Sequence, residues 1–198
     1  ISSVADELQL LKDEYGIGHI MWLDDDLLKD GKRAIGLFNE MTRRNLNMTW
    51  DASNGVIATS CTEDVIAAAE ESGCIALHVG MESGNPEILK MIRKPGTVKN
   101  FIKAAEVLHN HESIHACLQL IVGFPGETMR MVMDTVKAAL EMNMDWCRIS
   151  PLQPLPGTPI YFSMIEQGLI EDDSDRQETR YAGGPFGKQA EIEQGLRM

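Results

Sequence analysis

The sequence of 198 residues lacks several features that mark common functional classes. Basic residues are few: 18 lysines and arginines stand against 30 aspartates and glutamates, and a net charge of −12 argues against a phosphate-binding face for DNA or RNA. No apolar run approaches the ~20 residues that span a bilayer, and no secretory leader opens the chain. We therefore expect a cytoplasmic protein with no membrane span and no nucleic-acid partner.

Clustered metal ligands are also missing. The four cysteines, Cys61, Cys74, Cys117 and Cys147, lie far apart, which excludes a zinc ribbon or a disulfide scaffold and indicates buried thiols in a reducing compartment. Three histidines occur between positions 109 and 115. Their spacing does not match a helical zinc motif, and their place before a strand is one where residues usually serve stability.

What the sequence does contain is a regular alternation of helical and strand patterns. Helical spacing of apolar residues predicts helices at Val4–Tyr15, Arg33–Leu46, Glu63–Ser72, Pro86–Arg93, Val98–Asn110 and Met129–Met142. Short apolar runs predict strands at His19–Leu23, Asn47–Ala52, Cys74–Met81, Ile114–Val122 and Trp146–Ser150. This order predicts an α/β fold: a partial TIM-like (β/α) barrel with parallel strands and about five to six βα units.

A polar motif follows four of the predicted strands. The motifs are WLDDDL (Trp22 to Leu27), GMESGN (Gly80 to Asn85), LIVGFPGET (Leu120 to Thr128) and ISPLQPLPGTP (Ile149 to Pro159). In a barrel of parallel strands, the loops after the strands converge on one face, which is where active sites lie. The four motifs therefore predict a ring of site loops.

The carboxylates of two of these motifs are candidate ligand contacts. Strand alternation would direct Asp24 and Asp26 to one face and Asp25 to the other. Such a group could bind a metal, an ammonium group or a ribose, or only cap the next helix. Glu82 lies where its strand opens into a loop, and a carboxylate there needs a cationic partner. His78, two residues earlier, is interpreted as a hydrogen-bonded core histidine rather than a ligand.

The GFPGET segment connects a strand to a helix. Gly123 and Gly126 allow the backbone to approach a flat ligand closely, because neither has a Cβ. Thr128 is placed to cap the next helix, and Glu127 to brace the loop amides. A simple turn between strand and helix would have the same composition, so the segment alone leaves both interpretations open.

Together these motifs resemble the radical S-adenosylmethionine (radical SAM) superfamily, and most closely its cobalamin-binding subgroup. The resemblance covers about residues 1–170, which would form the core domain without its first strand, and residues 171–198 would be a C-terminal extension. It implies an enzyme that binds S-adenosylmethionine at a 4Fe-4S cluster and cleaves it reductively, with cobalamin-dependent methyl transfer as one outcome. Because the chain opens on Ile1, we expect a longer polypeptide with a further N-terminal domain.

The resemblance also implies which residues contact the cofactor. Asp24 or Asp25 would approach the methionine amino group, and Lys94 would reach the carboxylate. Glu82 and Ser83 would contact the ribose or the methionine end. The adenine would pack on the segment comprising Ile121, Gly123 and Phe124, braced by Glu127 and completed by Ile149 and Ser150.

One family feature is absent from this sequence. The family binds its cluster through CxxxCxxC in the loop after the first strand, and the four cysteines here do not have that spacing. The sequence thus predicts no catalytic residue and no metal ligand of its own, and this stretch alone is expected to be inactive. The alternative is a non-catalytic half-barrel that acts as a binding module. An aldolase-like or phosphate-binding barrel is disfavoured, because no strand ends at a Schiff-base lysine and no basic phosphate loop occurs.

Overall fold

The computed structural model describes residues 1–171, and its first compact unit, residues 1–152, is built on five parallel strands in the order β1-β2-β3-β4-β5. The strands are β1 (His19–Met21), β2 (Thr49–Val56), β3 (Cys74–Glu82), β4 (His115–Val122) and β5 (Trp146–Pro151). The helices of this unit are α1 (Ser2–Tyr15), α2 (Gly31–Arg43), α3 (Glu63–Glu71), α4 (Pro86–Met91), α5 (Val98–His109) and α6 (Met129–Met142), with a 3-10 turn at Ala58–Ser60. The predicted α/β alternation and parallel sheet are confirmed.

The helix starts follow from local side-chain chemistry. Asp30 accepts a hydrogen bond from Arg33 N (3.1 Å) at the start of α2, and Thr128 accepts one from Met131 N (3.4 Å) at the start of α6. Each bond satisfies an amide that has no partner within its own helix. Thr62 occupies the same position before α3, but its side chain makes no capping bond there.

One face of the sheet is covered by the helices. Strand alternation places Leu77, Val79 and Met81 of β3 on this face, and each is fully buried. Trp50 of β2 stacks on Phe38 of α2 at a centroid distance of 4.9 Å. Burying side chains of this size stabilises the fold by roughly 1.5–3 kcal/mol each, so this face is the hydrophobic core.

The other face of the sheet, here called the open face, is polar and only partly buried. Its polar side chains belong to His19 of β1, Asp51 and Ser53 of β2, His78 of β3, Gln119 of β4, and Arg148 and Ser150 of β5, and the same face carries the apolar residues Met21, Cys117, Ile121 and Trp146. The interior of a closed TIM barrel is filled with bulky branched apolar residues. The polar side chains on this face of the sheet differ from that composition.

Two boundaries differ from the prediction. β1 ends at Met21, so the three aspartates lie in a loop, where the two-residue alternation of a strand no longer applies. Residues from Gln153 onward belong to a second compact unit, whose described part contains α7 (Pro159–Glu166), capped by the Thr158 hydroxyl. Apart from Glu171, the predicted C-terminal extension lies outside the described residues.

No helix among residues 1–171 is both long and apolar enough to cross a membrane.

Candidate functional site

The centre of the candidate site is an ion pair at the end of β3. Lys94 Nζ lies 2.9 Å from Glu82 Oε1, and each side chain is only about one-fifth exposed (20% and 21%). Glu82 adopts a left-handed backbone conformation (φ 66), which is rare for a residue with a side chain. The pairing of β3 with β4 is also irregular between Gly80 and Glu82. Strained backbone of this kind is common at ligand sites.

Gly80 provides the space for this ion pair. A methyl group on Gly80 would lie 2.8 Å from Glu82 Oε1 and 3.2 Å from Lys94 Nζ. Both distances are too short for an undisturbed contact. A side chain at Gly80 would therefore force the ends of the Glu82 and Lys94 side chains to move.

A cleft of about 220 Å³ opens beside the ion pair. Its lining residues are Glu82, Gln119, Leu120, Ile121, Arg148 and Ser150. Parallel pairing places Ile121 opposite Ser150, and Gln119 opposite Arg148, so that two successive layers of the open face border the cleft. A somewhat larger cleft lies at the opposite edge of the sheet, around Asn47 and Gly73, away from the predicted site loops.

The loop after β4 has the conformation that its glycines allow. Gly123 and Gly126 both have positive φ values (91 and 76), and the Glu127 carboxylate accepts hydrogen bonds from Gly123 N (2.6 Å) and Phe124 N (3.2 Å). The predicted bracing role of Glu127 is confirmed. The other oxygen, Oε1, is buried without a hydrogen-bond partner among the described residues. The loop backbone is thus held in place at the edge of the sheet beside the cleft.

Ser83 does not lie where the sequence predicted. It is fully buried, and its hydroxyl contacts Thr135 Oγ1 of α6 at 3.1 Å and accepts from Asn85 N at 3.1 Å. Gly84 N donates to the same threonine hydroxyl at 2.9 Å. Because its hydroxyl faces α6, Ser83 positions the Glu82 loop and is not exposed to a ligand. Gly84 is likewise packed against α6, where a methyl group would lie 2.7 Å from Thr135 Cα.

Ile149 is also displaced from its predicted role. It pairs with Leu120 and lies on the face of β5 opposite to that of Ser150, with 57% of its surface exposed. Successive residues of a strand direct their side chains to opposite faces, so only one of these two side chains points to the open face. Ser150 is that residue.

The three aspartates after β1 separate according to burial. Asp24 and Asp25 are exposed at the loop, and Asn54 holds this loop through a hydrogen bond to the Asp24 carbonyl at 3.0 Å. Both carboxylate oxygens of Asp26 are buried and have no hydrogen-bond partner among the described residues. The pairing of Asp24 with Asp26 predicted from alternation is therefore wrong.

Sequence reasoning missed two cleft residues, Gln119 and Arg148. Gln119 Nε2 donates to Ser53 O (3.3 Å) and lies 3.0 Å from His78 Nδ1. Each missed residue precedes a predicted contact by two positions, Ile121 and Ser150 respectively, so the alternation of β4 and β5 would have identified both.

The histidines have structural environments. His78 is hydrogen-bonded to Gln119, as predicted, and burial lowers its pKa, with a smaller contribution from the positive charge of Arg148. At the opposite edge of the sheet, His111 Nδ1 lies 2.6 Å from Glu70 Oε2 and Nε2 lies 3.2 Å from Glu63 Oε1. Residues 1–171 contain no group of three or more histidine, cysteine or acidic side chains placed to hold a metal ion.

The cysteines do not form a cluster site. Cys61, Cys74 and Cys117 are buried, whereas Cys147 is exposed, which corrects the expectation that all four thiols are buried. Burial raises the pKa of Cys61 to about 12, with a smaller effect from the Asp26 charge, and it also raises the pKa values of the other three. Metal ligation requires thiolates, so these environments do not fit an iron–sulfur cluster.

Comparisons with known proteins identify the family of this chain. The family model of the radical SAM superfamily matches residues 1–139. An uncharacterised methyltransferase of Pyrococcus horikoshii is 34% identical over 170 residues, which are 86% of this chain and 36% of that protein. The cytidylyl-2-hydroxyethylphosphonate methyltransferase of Streptomyces wedmorensis is 25% identical over 194 residues, 93% of this chain and 35% of that protein. The chain therefore spans about a third of the length of these curated relatives.

Solved structures share the fold. The radical S-adenosylmethionine methyltransferase TsrM of Kitasatospora setae, with tryptophan and a SAM analogue bound, has a TM-score of 0.73 at 21% identity. The matched region is 84% of this chain and 33% of the TsrM chain. Coproporphyrinogen III oxidase of Escherichia coli has a TM-score of 0.58 at 17% identity and covers 98% and 43%. The sheet of this chain corresponds to part of such a TIM-like barrel.

Proposed function

Because the chain belongs to the radical SAM superfamily, we propose that it forms the S-adenosylmethionine-binding part of a longer methyltransferase or related enzyme. The observation that carries this proposal is the juxtaposition of Glu82 and Lys94, 2.9 Å apart, beside the cleft at Ile121 and Ser150. S-adenosylmethionine carries an ammonium group, a carboxylate and a flat adenine ring. The cleft provides a carboxylate, an ammonium group and an edge of the sheet bordered by Ile121.

The residues at the cleft fit this cofactor. Glu82 would bind the methionine ammonium group together with Asp24 or Asp25 from the loop after β1, and Lys94 would bind the carboxylate. Gly80 has no side chain that would fill the space beside them. In the free protein, Glu82 and Lys94 neutralise each other. On binding, the ammonium group of the ligand would replace Lys94 as the partner of Glu82, and its carboxylate would replace Glu82 as the partner of Lys94. This exchange avoids leaving a half-buried charge without a partner.

The adenine would lie against the carboxyl-terminal end of β4. Ile121 and Ser150 border the cleft from adjacent strands, and Gly123 and Phe124 present backbone held by Glu127. When bound, S-adenosylmethionine supplies an activated carbon–sulfur bond. The protein residues named here bind and orient it, and the cluster ligands of the family do not lie among them, so no chemical step is assigned to this stretch.

Cobalamin dependence and methyl transfer are finer parts of this proposal. They are supported by the similarity to the two methyltransferases and to the TsrM fold, one structure of which contains cobalamin and a 4Fe-4S cluster. A cytoplasmic location is proposed from the four unpaired cysteines, which suit a reducing compartment. A further N-terminal domain is proposed because the relatives are about three times as long as the matched region.

The second candidate is a non-catalytic binding module. The cysteine environments favour it, because none of the four thiols is placed to bind a cluster. On this alternative the longer protein would bind no iron, whereas the enzyme proposal requires cluster cysteines elsewhere in the polypeptide.

The deciding experiment is to measure iron and sulfide in the anaerobically prepared full-length protein, with an EPR spectrum before and after addition of S-adenosylmethionine. The enzyme proposal expects about four irons per chain for one cluster, and a spectrum that changes on adding the ligand. The Glu82→Gln variant should retain the iron but require about tenfold more S-adenosylmethionine for the same spectral change, a loss of about 1.4 kcal/mol. A full-length protein without iron would instead support the binding module.

A further inference from the structure

Arg148 is a cation without a counter-ion. It lies on β5 with its side chain exposed at the cleft, and among residues 1–171 it forms no ion pair. The nearest carboxylate of the cleft, Glu82, is already paired with Lys94. Most described lysines and arginines likewise form no ion pair, so what distinguishes Arg148 is its position in the lining of the cleft.

The neighbour of Arg148 in the sheet, Gln119, is held by two hydrogen-bond contacts. Gln119 lies opposite it on β4, and the orientation of its amide is set by the Ser53 carbonyl, which can only accept a hydrogen bond. The second N–H of the amide is then directed to His78 Nδ1 at 3.0 Å, so Nδ1 is the acceptor and the proton of the neutral ring is on Nε2. The lowered pKa of His78 agrees with a neutral ring. Among the residues that line the cleft, Arg148 thus carries the only positive charge.

The location separates this charge from the groups proposed for the cofactor. Ile121 and Ser150 form the layer of the open face nearest the strand ends, and Gln119 with Arg148 forms the next layer toward the strand starts. The carboxylate of the cofactor already has Lys94 at the rim. A guanidinium group in the second layer is therefore available to another molecule, and its planar fork suits bidentate contact with an oxyanion.

We propose that Arg148, supported by Gln119, binds an anionic group of the substrate: a carboxylate, a phosphate or a phosphonate. The proposal rests on the proposed function in one respect, since it takes the cleft as the place where substrate meets cofactor. Neither a purely apolar substrate nor a cationic one would satisfy this group. Arg148 is thereby a specificity-determining residue and the anionic group is the feature it selects.

The test uses the anaerobically prepared full-length protein and methylphosphonate as the probe. Broadening of the ³¹P signal measures binding of the dianion, and its uncharged dimethyl ester measures contacts other than charge. Arg148→Gln should weaken methylphosphonate binding by about tenfold or more, and Arg148→Lys should retain part of the binding, because it keeps the charge but loses the fork. Arg130→Gln, which removes an exposed charge from α6, is the matched control and should bind as the wild type does.

S-adenosylmethionine affinity is measured on the same samples and should change by less than about twofold in Arg148→Gln. If methylphosphonate displaces S-adenosylmethionine and Arg148→Gln weakens both equally, Arg148 belongs to the cofactor carboxylate and the proposal is overturned. Undiminished methylphosphonate binding by Arg148→Gln, or no binding by the wild type, overturns it as well. Loss of S-adenosylmethionine binding by the wild type would count against the proposed function alone.

Discussion

At the scale of single residues, the Glu82–Lys94 ion pair depends on an absent side chain. Because Gly80 has no side chain, it leaves room for the Glu82 carboxylate and the Lys94 ammonium group. Each side chain of the pair is only about one-fifth exposed (20% and 21%). The geometry of the pair therefore affects stability more than that of a surface ion pair, which contributes little to stability. A change at Gly80 therefore tests the site without removing either charge.

We expect Gly80→Ala to weaken S-adenosylmethionine binding by about tenfold. The added methyl group would lie only 2.8 Å from Glu82 Oε1, so the carboxylate must move. The folding free energy should change by no more than about 1 kcal/mol, since only the ends of two flexible side chains must move. Gly18→Ala is the control, because no atom lies within 4 Å of its added methyl group. Equilibrium dialysis and denaturant titration of both variants check this. Unchanged affinity in Gly80→Ala would remove Glu82 and Lys94 from the site.

Thr135 connects the same loop to α6. Its buried hydroxyl accepts a hydrogen bond from Gly84 N and contacts the Ser83 hydroxyl. Thr135→Val should lower the free energy of unfolding by about 1–3 kcal/mol, because it leaves a buried amide without a partner. Thr135→Ser keeps the hydroxyl and should cost less. Urea titration distinguishes the two variants, and equal losses would mean that packing of the methyl group, not the hydrogen bonds, stabilises the loop.

At the scale of elements, the His111 cluster joins α3 to the turn before β4. Glu70 contacts both His111 and the Ser113 hydroxyl, and Glu63 contacts the second nitrogen of His111. Hydrogen bonds from His111, and then from Ser113, hold the pKa of Glu70 below its usual value of 4.5. This cluster lies at the edge of the sheet opposite the cleft, so it contributes to stability rather than to ligand binding.

The lowered pKa of Glu70 gives a pH dependence with a definite sign. A carboxyl group whose pKa is lower in the folded state stabilises that state above its unfolded pKa, and this contribution is lost as the pH falls through the folded value. Wild type should thus be more stable than Glu70→Gln at neutral pH, and the difference should shrink below about pH 4.5. Glu71→Gln, its exposed neighbour, serves as the control. A difference independent of pH would indicate that charge plays no part.

Local sequence chemistry accounts for most of these elements. Thr128 begins α6 as predicted, and Leu77, Val79 and Met81 are buried at the two-residue spacing of a strand. The end of β1 could not be read in the same way. Leu23 continues the apolar pattern, but β1 pairs with β2 only as far as Met21. Where this pairing ends depends on both strands and cannot be read from the sequence of β1 alone.

At the scale of the whole molecule, the four cysteines of this chain are not placed to bind the iron–sulfur cluster of the family. Three thiols are buried in the core, and burial raises the pKa of every one of the four. Ligation of iron needs thiolates brought together from a short spacing. The cluster, if the proposed function holds, must be bound by cysteines elsewhere in the longer polypeptide.

In the full-length protein, replacing any one of Cys61, Cys74, Cys117 or Cys147 by alanine should leave the iron content unchanged. The reason is that none of the four lies in a group of side chains able to hold a metal. The measurement is iron per folded chain after anaerobic reconstitution, with stability followed in parallel because three of the positions are buried. Loss of iron from the exposed Cys147→Ala variant, in a chain that remains folded, would contradict this prediction.

The sequence by itself determined the order of helices and strands, the parallel sheet and the loops that form the site, because these depend on periodicity, caps and glycines that act over a few residues. Only the tertiary structure decided which neighbours meet. It paired Glu82 with Lys94, turned Ser83 toward Thr135, and set Gln119 opposite Arg148 and Ile121 opposite Ser150. These outcomes depend on strand register and on the packing of α6, which join residues far apart in the chain.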